Sequence, residues 1–160
     1  MPPMDRDVLA SIRDLLTSTR VLAIAVVIDG EPEAALLPFA PRADFGAVYV
    51  QASRLARHSR GLTGGARVGL LVHAADTPDA DPMQLPRLTV QAAVRVLERD
   101  SDEFAATAAR FVARFPAARV TLNLGDFALY ELTLGRGRYV EGFARAFNVG
   151  AHTFAEIAAL

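Results

Sequence analysis

Most of this chain consists of short apolar, β-branched-rich runs that follow one another through brief connections. The run 21–28 is followed by the turn signal Asp29-Gly30 and then by a second run over 34–39. Asp-Gly between two apolar runs is a strong hairpin signal. Parallel strands need connections of about a dozen residues or more, so this spacing favours antiparallel strands. The chain is therefore predicted to be mainly β.

Further segments of the same kind complete a small barrel. In chain order they cover residues 47–51, 68–73, 88–97, 127–134 and 138–143. The last two are expected to form a closing hairpin around Gly135-Arg136-Gly137. The run 21–28 is continuously apolar, which predicts burial on both faces. Pro38 lacks an N–H, so its strand tolerates it only at an edge, a bulge or a ligand-facing stretch.

Helical periodicity appears at the start, the middle and the end of the chain. Apolar residues between Val8 and Leu16 recur at helical spacing and predict a helix over 4–17. Ser101 is expected to begin a second helix, and residues 151–160 a short third one. The predicted buried stripe of the second helix is Phe104, Ala108, Phe111, Val112 and Phe115.

Length and composition limit the possible functions. The 160 residues suit one domain over 1–160, with an N-terminal helix at 4–17, a barrel core at 20–146 and a tail at 147–160. The formal net charge of −1 gives no field that would attract nucleic acid or an anionic membrane, so neither is expected as a partner. The N-terminus has no signal-peptide pattern, and the expected location is cytoplasmic.

No motif in the sequence indicates a catalytic mechanism by itself. Cysteine is absent, which excludes a cysteine nucleophile and thiolate metal sites. His58, His73 and His152 are far apart in sequence, and none has metal-ligand spacing to another. Catalytic residues therefore stay unknown at this stage, and no metal site is predicted.

The segment from Gln51 to Leu62 carries the most chemical information. Ser53 is expected to cap a helix from Arg54 to about Leu62, with Arg57 and Arg60 on one broad face of that helix. A serine hydroxyl beside free helical N–H groups and arginines suits a phosphate. The alternative to a phosphate site is a solvated basic helix with an ordinary cap. Residues 51–62, taken alone, favour this alternative.

A resemblance to a known family adds to that reading. Ser53 to Leu62 resembles the SxLAxHTxNL signature of the flavin-binding split barrels related to pyridoxamine-phosphate oxidase and to bacterial haem-utilisation proteins. Other matching pieces follow in the family's order, at 29–32, 36–40, 81–90, 115–130 and 138–146. Gly61, Ala92 and Ala144 depart from the pattern, which lowers the expected flavin affinity.

The resemblance implies a six-stranded, Greek-key FMN-binding split barrel that forms a homodimer with the cofactor at the subunit interface. Ser53 would contact the flavin phosphate, with Arg57 or Arg60 as its charged partner. Arg87 would reach the ring, and Arg138 and Phe143 would come from the second chain. The full set of expected cofactor-binding residues is Leu37, Pro38, Phe39, Gln51, Ser53, Arg57, His58, Arg60, Arg87 and Arg138.

Three functions stay open on the sequence. The first is an FMN-dependent oxidoreductase acting on a small molecule, because a flavin carries its own electron chemistry and needs no dedicated acid or base. The second is a haem-binding or haem-utilisation protein, in which His152 is a candidate axial ligand against the ordinary reading of a surface histidine. The third is a non-catalytic split-barrel dimer that has lost FMN. Activity as pyridoxamine-phosphate oxidase itself is not expected, because Trp is absent.

Overall fold

The computed structural model describes residues 4–160, and its strands lie close to the predicted apolar runs. Residues 1–3, which the predicted domain includes, lie outside the described residues. The strands are β1 Val21–Ile28, β2 Glu31–Pro41, β3 Ala47–Ser53, β4 Arg67–His73, β5 Arg87–Val96, β6 Phe127–Gly142 and β7 Arg145–Val149. The predicted mainly β class is confirmed.

The helices also match the periodicity of the sequence. They are α1 Arg6–Ser18, α2 Asp102–Arg114, α3 Ala118–Leu122 and α4 Ala151–Ala158, with short 3-10 turns at Arg57–Gly61 and Pro82–Gln84. Asp5 caps α1 and the Ser101 hydroxyl caps α2 by accepting from the Phe104 N–H. Within the described residues, the helices are too short or too polar to cross a membrane.

The strands close into a six-stranded antiparallel barrel. β1, β2 and β3 form a meander, the chain then crosses to place β4 beside β1, and β5 and β6 continue from there. Pairing of β3 with β6 closes the barrel. A meander of three strands whose first strand is flanked by the fourth is the Greek-key order. The predicted six-stranded Greek-key split barrel is confirmed.

The strand β6 corrects one prediction. Residues 127–142 form a single 16-residue strand, so the hairpin expected around Gly135-Arg136-Gly137 is wrong. The glycines serve a close approach instead of a turn, because a Cβ on Gly137 would lie 2.1 Å from the Thr89 carbonyl oxygen. The real hairpin joins β6 to β7, and its tip places Ala144 at a φ of 59°. β7 pairs only with the second half of β6, outside the closed barrel.

Two hydrophobic cores fill the molecule. The first lies inside the barrel, where the apolar face of α1 covers alternate residues of the strands. The second lies outside it, where α2 and α3 pack on β3 and on the first half of β6. Burial in β1 alternates along the strand, so the expectation that it is buried on both faces is wrong. The outward-facing side chains of β1 are apolar although they are partly exposed, with Val21 44% and Val27 61% exposed.

Candidate functional site

The barrel wall has one face that no described element covers. α2 and α3 lie over β3, whereas the outward side chains of β1, β2 and β4 have no such cover among residues 4–160. Apart from Arg67 and His73 at the two ends of β4, these side chains are nevertheless largely apolar, with Val27 61% exposed and Leu36 68% exposed. A contiguous apolar surface of this kind marks an interaction or ligand-binding site in most proteins. We call it the open face.

Strand pairing places one row of residues straight across the open face. Leu36 pairs with Ala23, Ala23 with Leu71, and Leu71 with Thr89. The row continues through the pairs Thr89–Arg138 and Arg138–Asn148. Its β2, β1 and β4 members are apolar, while its β5, β6 and β7 members are polar.

A groove follows this row. It has a volume of about 850 Å³, and its lining combines main chain with small or aliphatic side chains at one end and polar side chains at the other. The lining residues are Ala23, Ile24, Ala25, Ala34, Gly69, Leu70, Leu71, Thr89, Val90, Gln91, Arg136, Gly137, Arg138, Asn148 and Val149. Ala25 and Gly69 lie side by side in the floor, and their small side chains leave the groove open at this point. The groove can thus accept a flat apolar body with its polar end directed to β6.

The polar end of the groove is cationic. Arg138 donates to the Asn148 Oδ1 at 3.1 Å, and Arg136 donates to the Gln91 Oε1 at 3.3 Å. Arg67, beside the groove, donates to the same Gln91 oxygen at 3.3 Å. In residues 4–160 none of these three guanidinium groups forms an ion pair with a carboxylate. Neutral amides hold them, so their charge stays available to an anion.

A β-bulge in β6 directs Arg136 and Arg138 outward. The pairing of β5 with β6 skips one residue at Gln91 and two residues, Gly135 and Arg136, on β6. Before the bulge the even-numbered residues of β6, such as Leu132, face the barrel core, whereas after it the odd-numbered Tyr139 does. Without the extra residue, Arg138 would point into the core. Bulges commonly redirect a side chain next to a functional site.

The corner after β3 differs from its prediction. The helix expected from Arg54 to Leu62 is wrong: Arg54 lies in a turn, and only a 3-10 turn over Arg57–Gly61 follows. The Ser53 hydroxyl therefore caps no helix; it donates to the Asp126 carboxylate at 2.8 Å and accepts from the Leu55 N–H. The Ser53 hydroxyl already donates its hydrogen to the Asp126 carboxylate. A phosphate would compete with this carboxylate for the same hydrogen and would be repelled by its negative charge.

The arginines of the corner are paired. Arg57 forms an ion pair with Glu33 at 2.9 Å, and Arg60 forms one with Asp29, also at 2.9 Å. Both carboxylates belong to the β1–β2 hairpin, so the pairs fasten the corner to that hairpin. Gly61 allows the corner to pack closely against β1, since a Cβ on Gly61 would lie 2.6 Å from the Val26 Cβ. The departure from the family's Asn at this position therefore has a packing cause.

The β2 residues of the predicted site lie mainly in the barrel wall. Leu37 and Phe39 point into the core, and the Phe39 N–H donates to the Arg20 carbonyl. Pro38 lies just before the segment of β2 that pairs with β3, which begins at Phe39. Successive N–H groups of a strand point to opposite sides. Since the Phe39 N–H points towards the β1 side, the nitrogen of Pro38 points away from β1, where β2 has no paired strand at this residue. The missing N–H of Pro38 therefore costs no strand hydrogen bond, as the sequence predicts.

The other predicted residues lie apart from one another. Gln51 is buried and donates to the Thr121 hydroxyl of α3. Arg87 donates to the carbonyls of Met83 and Leu85, which closes the loop before β5. Of the predicted set, only Arg138 lines the groove. The flavin contacts assigned to the other residues stay predictions.

The histidines do not form a metal site. His58 lies in the 3-10 turn of the corner, with its Nε2 buried and without a hydrogen-bond partner among the described residues. His152 lies exposed on α4, a few residues beyond Asn148. Across residues 4–160 there is no group of three histidine, cysteine or acidic side chains placed to hold a metal ion.

Sequence reasoning missed several residues of the groove, among them Gln91, Arg136 and Asn148. One signal was present: the apolar alternation of residues 128–134 changes parity before Tyr139. Such a change indicates a bulge, but a Gly-Arg-Gly sequence at the same place also resembles a turn. The small outward residues Ala23, Ala25 and Gly69 gave no signal on their own.

Comparison with known proteins fits this architecture. No protein-family profile matches the chain. The haem oxygenase HutZ of Vibrio cholerae is 29% identical over 140 residues, covering 86% of this chain and 78% of HutZ. A solved structure of HutZ, the haem storage protein from that organism, has a TM-score of 0.70 at 25% identity and covers 86% of this chain and 92% of its own.

Two further solved structures share the fold. A haem binding protein from Mycobacterium smegmatis has a TM-score of 0.82 at 24% identity; it covers 96% of this chain, which spans 62% of that protein. A Clostridium acetobutylicum protein related to general stress protein 26, of the pyridoxinephosphate oxidase family, has a TM-score of 0.69 at 12% identity, with 94% and 99% of the two chains covered.

The closed barrel and these structures together define the class: the chain is a split-barrel protein with the pyridoxamine-phosphate-oxidase-like fold. Within that class, its sequence resembles the haem-utilisation proteins represented by HutZ.

Proposed function

We propose that this chain is a cytoplasmic FMN-binding protein, an oxidoreductase for a small molecule, that holds its cofactor in the groove of the open face. The observation that carries the proposal is the combination of an apolar floor with arginines that form no ion pair with a carboxylate within residues 4–160. Ligand sites commonly combine a largely apolar concave surface with a few polar groups that set orientation. FMN has this shape, a flat ring system with a phosphate tail.

The residues of the groove fit such a group. Ala25 and Gly69 leave the floor flat enough for a ring, and Leu71 adds apolar contact area. Arg136 and Arg138 can each present a planar fork of N–H donors to a phosphate. The corner at Ser53 fits less well, because a phosphate there would have to displace Asp126 from the serine and Glu33 from Arg57.

The role of the chain is to bind and orient the cofactor. FMN, when bound, supplies the electron and hydride chemistry. The apolar floor excludes water from one side of the ring, and Thr89 and Gln91 offer polar atoms at the transition to the cationic end. Among the described residues, no acidic side chain lines the groove, which agrees with binding of an anion.

Haem is the second candidate, and the similarity to HutZ favours it. The apolar floor would accept a porphyrin, and Arg136 and Arg138 would pair with its propionates. The groove lining contains no histidine, methionine or tyrosine, so an axial ligand would have to come from elsewhere. His152 is the candidate from this chain, since α4 follows directly on the β7 residues of the groove. The absence of an axial ligand in the lining ranks FMN first.

The apolar half of the open face also supports a homodimer with the cofactor at the subunit interface. Val21, Val27 and Leu36 are 44%, 61% and 68% exposed on adjoining strands. Because each of these side chains is already partly buried, covering it would contribute only a part of the roughly 1.5–3 kcal/mol that a fully exposed side chain gives, which is still a favourable term for association. Leu36→Glu is expected to give a monomer in light scattering, whereas Leu55→Glu, at a leucine that is 84% exposed elsewhere, leaves the dimer intact. An unchanged dimer in Leu36→Glu would place the interface on another surface.

The proposal is tested by titrating the purified protein with FMN and, separately, with haemin. FMN fluorescence should be quenched to saturation at one FMN per subunit. A sharp Soret band with haemin but no response to FMN would instead favour the haem candidate. A lack of response to both ligands would leave the third function, a non-catalytic split-barrel dimer.

A further inference from the structure

A second cluster of arginines lies outside the groove, where α1, β1 and α2 meet. It consists of Arg20, just before β1, and of Arg110 and Arg114 in the last turns of α2. We call it the three-arginine corner. None of these residues lines the groove.

Arg114 forms the inner part of the three-arginine corner. Its Nη1 donates to the Thr17 carbonyl at 3.1 Å and its Nη2 to the Thr19 carbonyl, so it caps the C-terminal end of α1. The guanidinium lies 5.5 Å from the ring centroid of Phe39 and 5.6 Å from that of Phe115. Its Nε is buried and has no hydrogen-bond partner among the described residues.

The other two arginines surround this one. Arg20 lies 5.1 Å from the centroid of Phe115, so two guanidinium groups share one aromatic ring. Arg110 precedes Arg114 by one helical turn and donates from its Nε to the Pro41 carbonyl at 3.1 Å. Residues four apart on a helix are neighbours on its surface, and like charges there are destabilising. The three positive charges therefore lie close together.

No carboxylate balances these charges. In residues 4–160 none of the three arginines forms an ion pair. Burial lowers the pKa of Arg114, and the positive charges of Arg20 and Arg110 lower it further. A partly buried cation beside two others is costly unless an anion accompanies it.

Capping of a helix end does not require three arginines. Arg99 performs the same task alone: it donates to the Leu122 carbonyl at 2.7 Å and to the Phe127 carbonyl at 2.8 Å, and it lies 5.6 Å from the Phe104 ring. Arg114 accounts for the capping of α1 in the same way. Arg20 and Arg110 are additional to it and both are exposed.

We propose that the three-arginine corner binds a phosphate group, with Arg20 and Arg110 as the contacting side chains and Arg114 as a fixed positive charge beneath them. Two exposed guanidinium forks can each form charge-assisted hydrogen bonds to phosphate oxygens. The site is separate from the groove and does not depend on the cofactor proposed there. Its ligand is either free phosphate or a small phosphate ester.

The test uses the full chain with the substitutions Arg136→Gln and Arg138→Gln, so that phosphate binding at the groove does not contribute. Inorganic phosphate and glycerol 3-phosphate are titrated separately by calorimetry, with sodium chloride at matched ionic strength as the salt control. Saturable binding of inorganic phosphate is expected. Stronger binding of glycerol 3-phosphate would identify an ester as the preferred ligand.

Adding Arg20→Gln and Arg110→Gln should weaken phosphate binding by about tenfold or more, equivalent to about 1.4 kcal/mol. Two control variants separate binding from structure. Arg13→Gln, at a half-buried arginine of α1 beside Asp14, should not change phosphate affinity. Arg99→Gln should lower the melting temperature and keep phosphate binding. Equal phosphate affinity with and without Arg20 and Arg110, or no phosphate binding above the chloride control, would overturn the proposal.

Discussion

Two arginine-containing regions of this barrel differ in what their charges face. In the corner after β3, Arg57 and Arg60 contact Glu33 and Asp29, and the Ser53 hydroxyl contacts Asp126. In the groove, the side-chain hydrogen bonds that Arg136 and Arg138 form with the described residues go to the neutral amides of Gln91 and Asn148. The corner uses its charges to fasten one segment of the chain to another. The groove keeps its charges for a partner outside the chain.

The difference shows that residue type does not determine the role of a charged side chain. Exposed ion pairs such as those of the corner contribute only about 0.2–1 kcal/mol each to stability. An arginine held by an amide keeps its full positive charge and several free N–H donors. The groove also has an apolar floor beside its arginines, to which Ala25, Gly69 and Leu71 contribute.

Filling the groove should have the largest effect. A Cβ on Gly69 would lie 3.7 Å from the Ala25 Cβ, an ordinary contact, so the backbone accepts a side chain there and the leucine of Gly69→Leu would cover the floor. Binding of both FMN and haemin is expected to fall by about 100-fold or more, as a loss of roughly 2.7 kcal/mol would produce. Fluorescence quenching and the Soret band measure the two affinities.

A matched glycine provides the control for this variant. A Cβ on Gly64 would meet no atom within 4 Å, and Gly64→Leu should bind both ligands as the natural sequence does. Melting temperatures should be similar for the two variants. If Gly69→Leu binds FMN normally, the flavin lies outside the groove and the comparison between the two regions is wrong.

Changing the corner should have a small effect on the cofactor. The triple variant Ser53→Ala, Arg57→Gln and Arg60→Gln removes two exposed ion pairs and the two hydrogen bonds of the Ser53 hydroxyl, which should lower the free energy of unfolding by about 1.5–5 kcal/mol. FMN affinity is expected to change less than about threefold. Urea denaturation and FMN titration check the two values.

The opposite outcome is also informative. A triple variant that folds but no longer binds FMN would make the corner the phosphate site that the sequence signature predicts. The pairs Arg57–Glu33 and Arg60–Asp29 would then have to open when the cofactor binds.

The sequence predicts the barrel well because its signals are local. The apolar run of β2, the Asp29-Gly30 turn and the stripe of α1 each depend on a few neighbouring residues. The continuous apolar run of β1 was misread, because an apolar outward face and a buried one have the same composition. Only the position of α2 and α3 over β3 shows which outward faces stay uncovered.

The site was harder to predict because it depends on contacts between distant segments. The arginines of the corner were recognised, but the carboxylates that pair with them come from the β1–β2 hairpin, more than twenty residues earlier. The change of parity within β6 is compatible with a bulge or with a turn, and only the pairing with β5 shows that a bulge turns Arg138 outward. The family signature identifies the fold, while the positions of the carboxylates favour the groove over the corner as the phosphate site.

The central claim is that Arg136 and Arg138 bind the phosphate of FMN, and comparing FMN with riboflavin tests it most directly, since riboflavin lacks only that phosphate. The natural sequence should prefer FMN by about tenfold or more, which corresponds to about 1.4 kcal/mol. The double variant Arg136→Gln and Arg138→Gln should lose this preference while its affinity for riboflavin stays nearly the same. Arg145→Gln, at an exposed arginine paired with Glu141 on the neighbouring hairpin, should keep the preference. A preference for FMN that survives in the double variant would contradict the account.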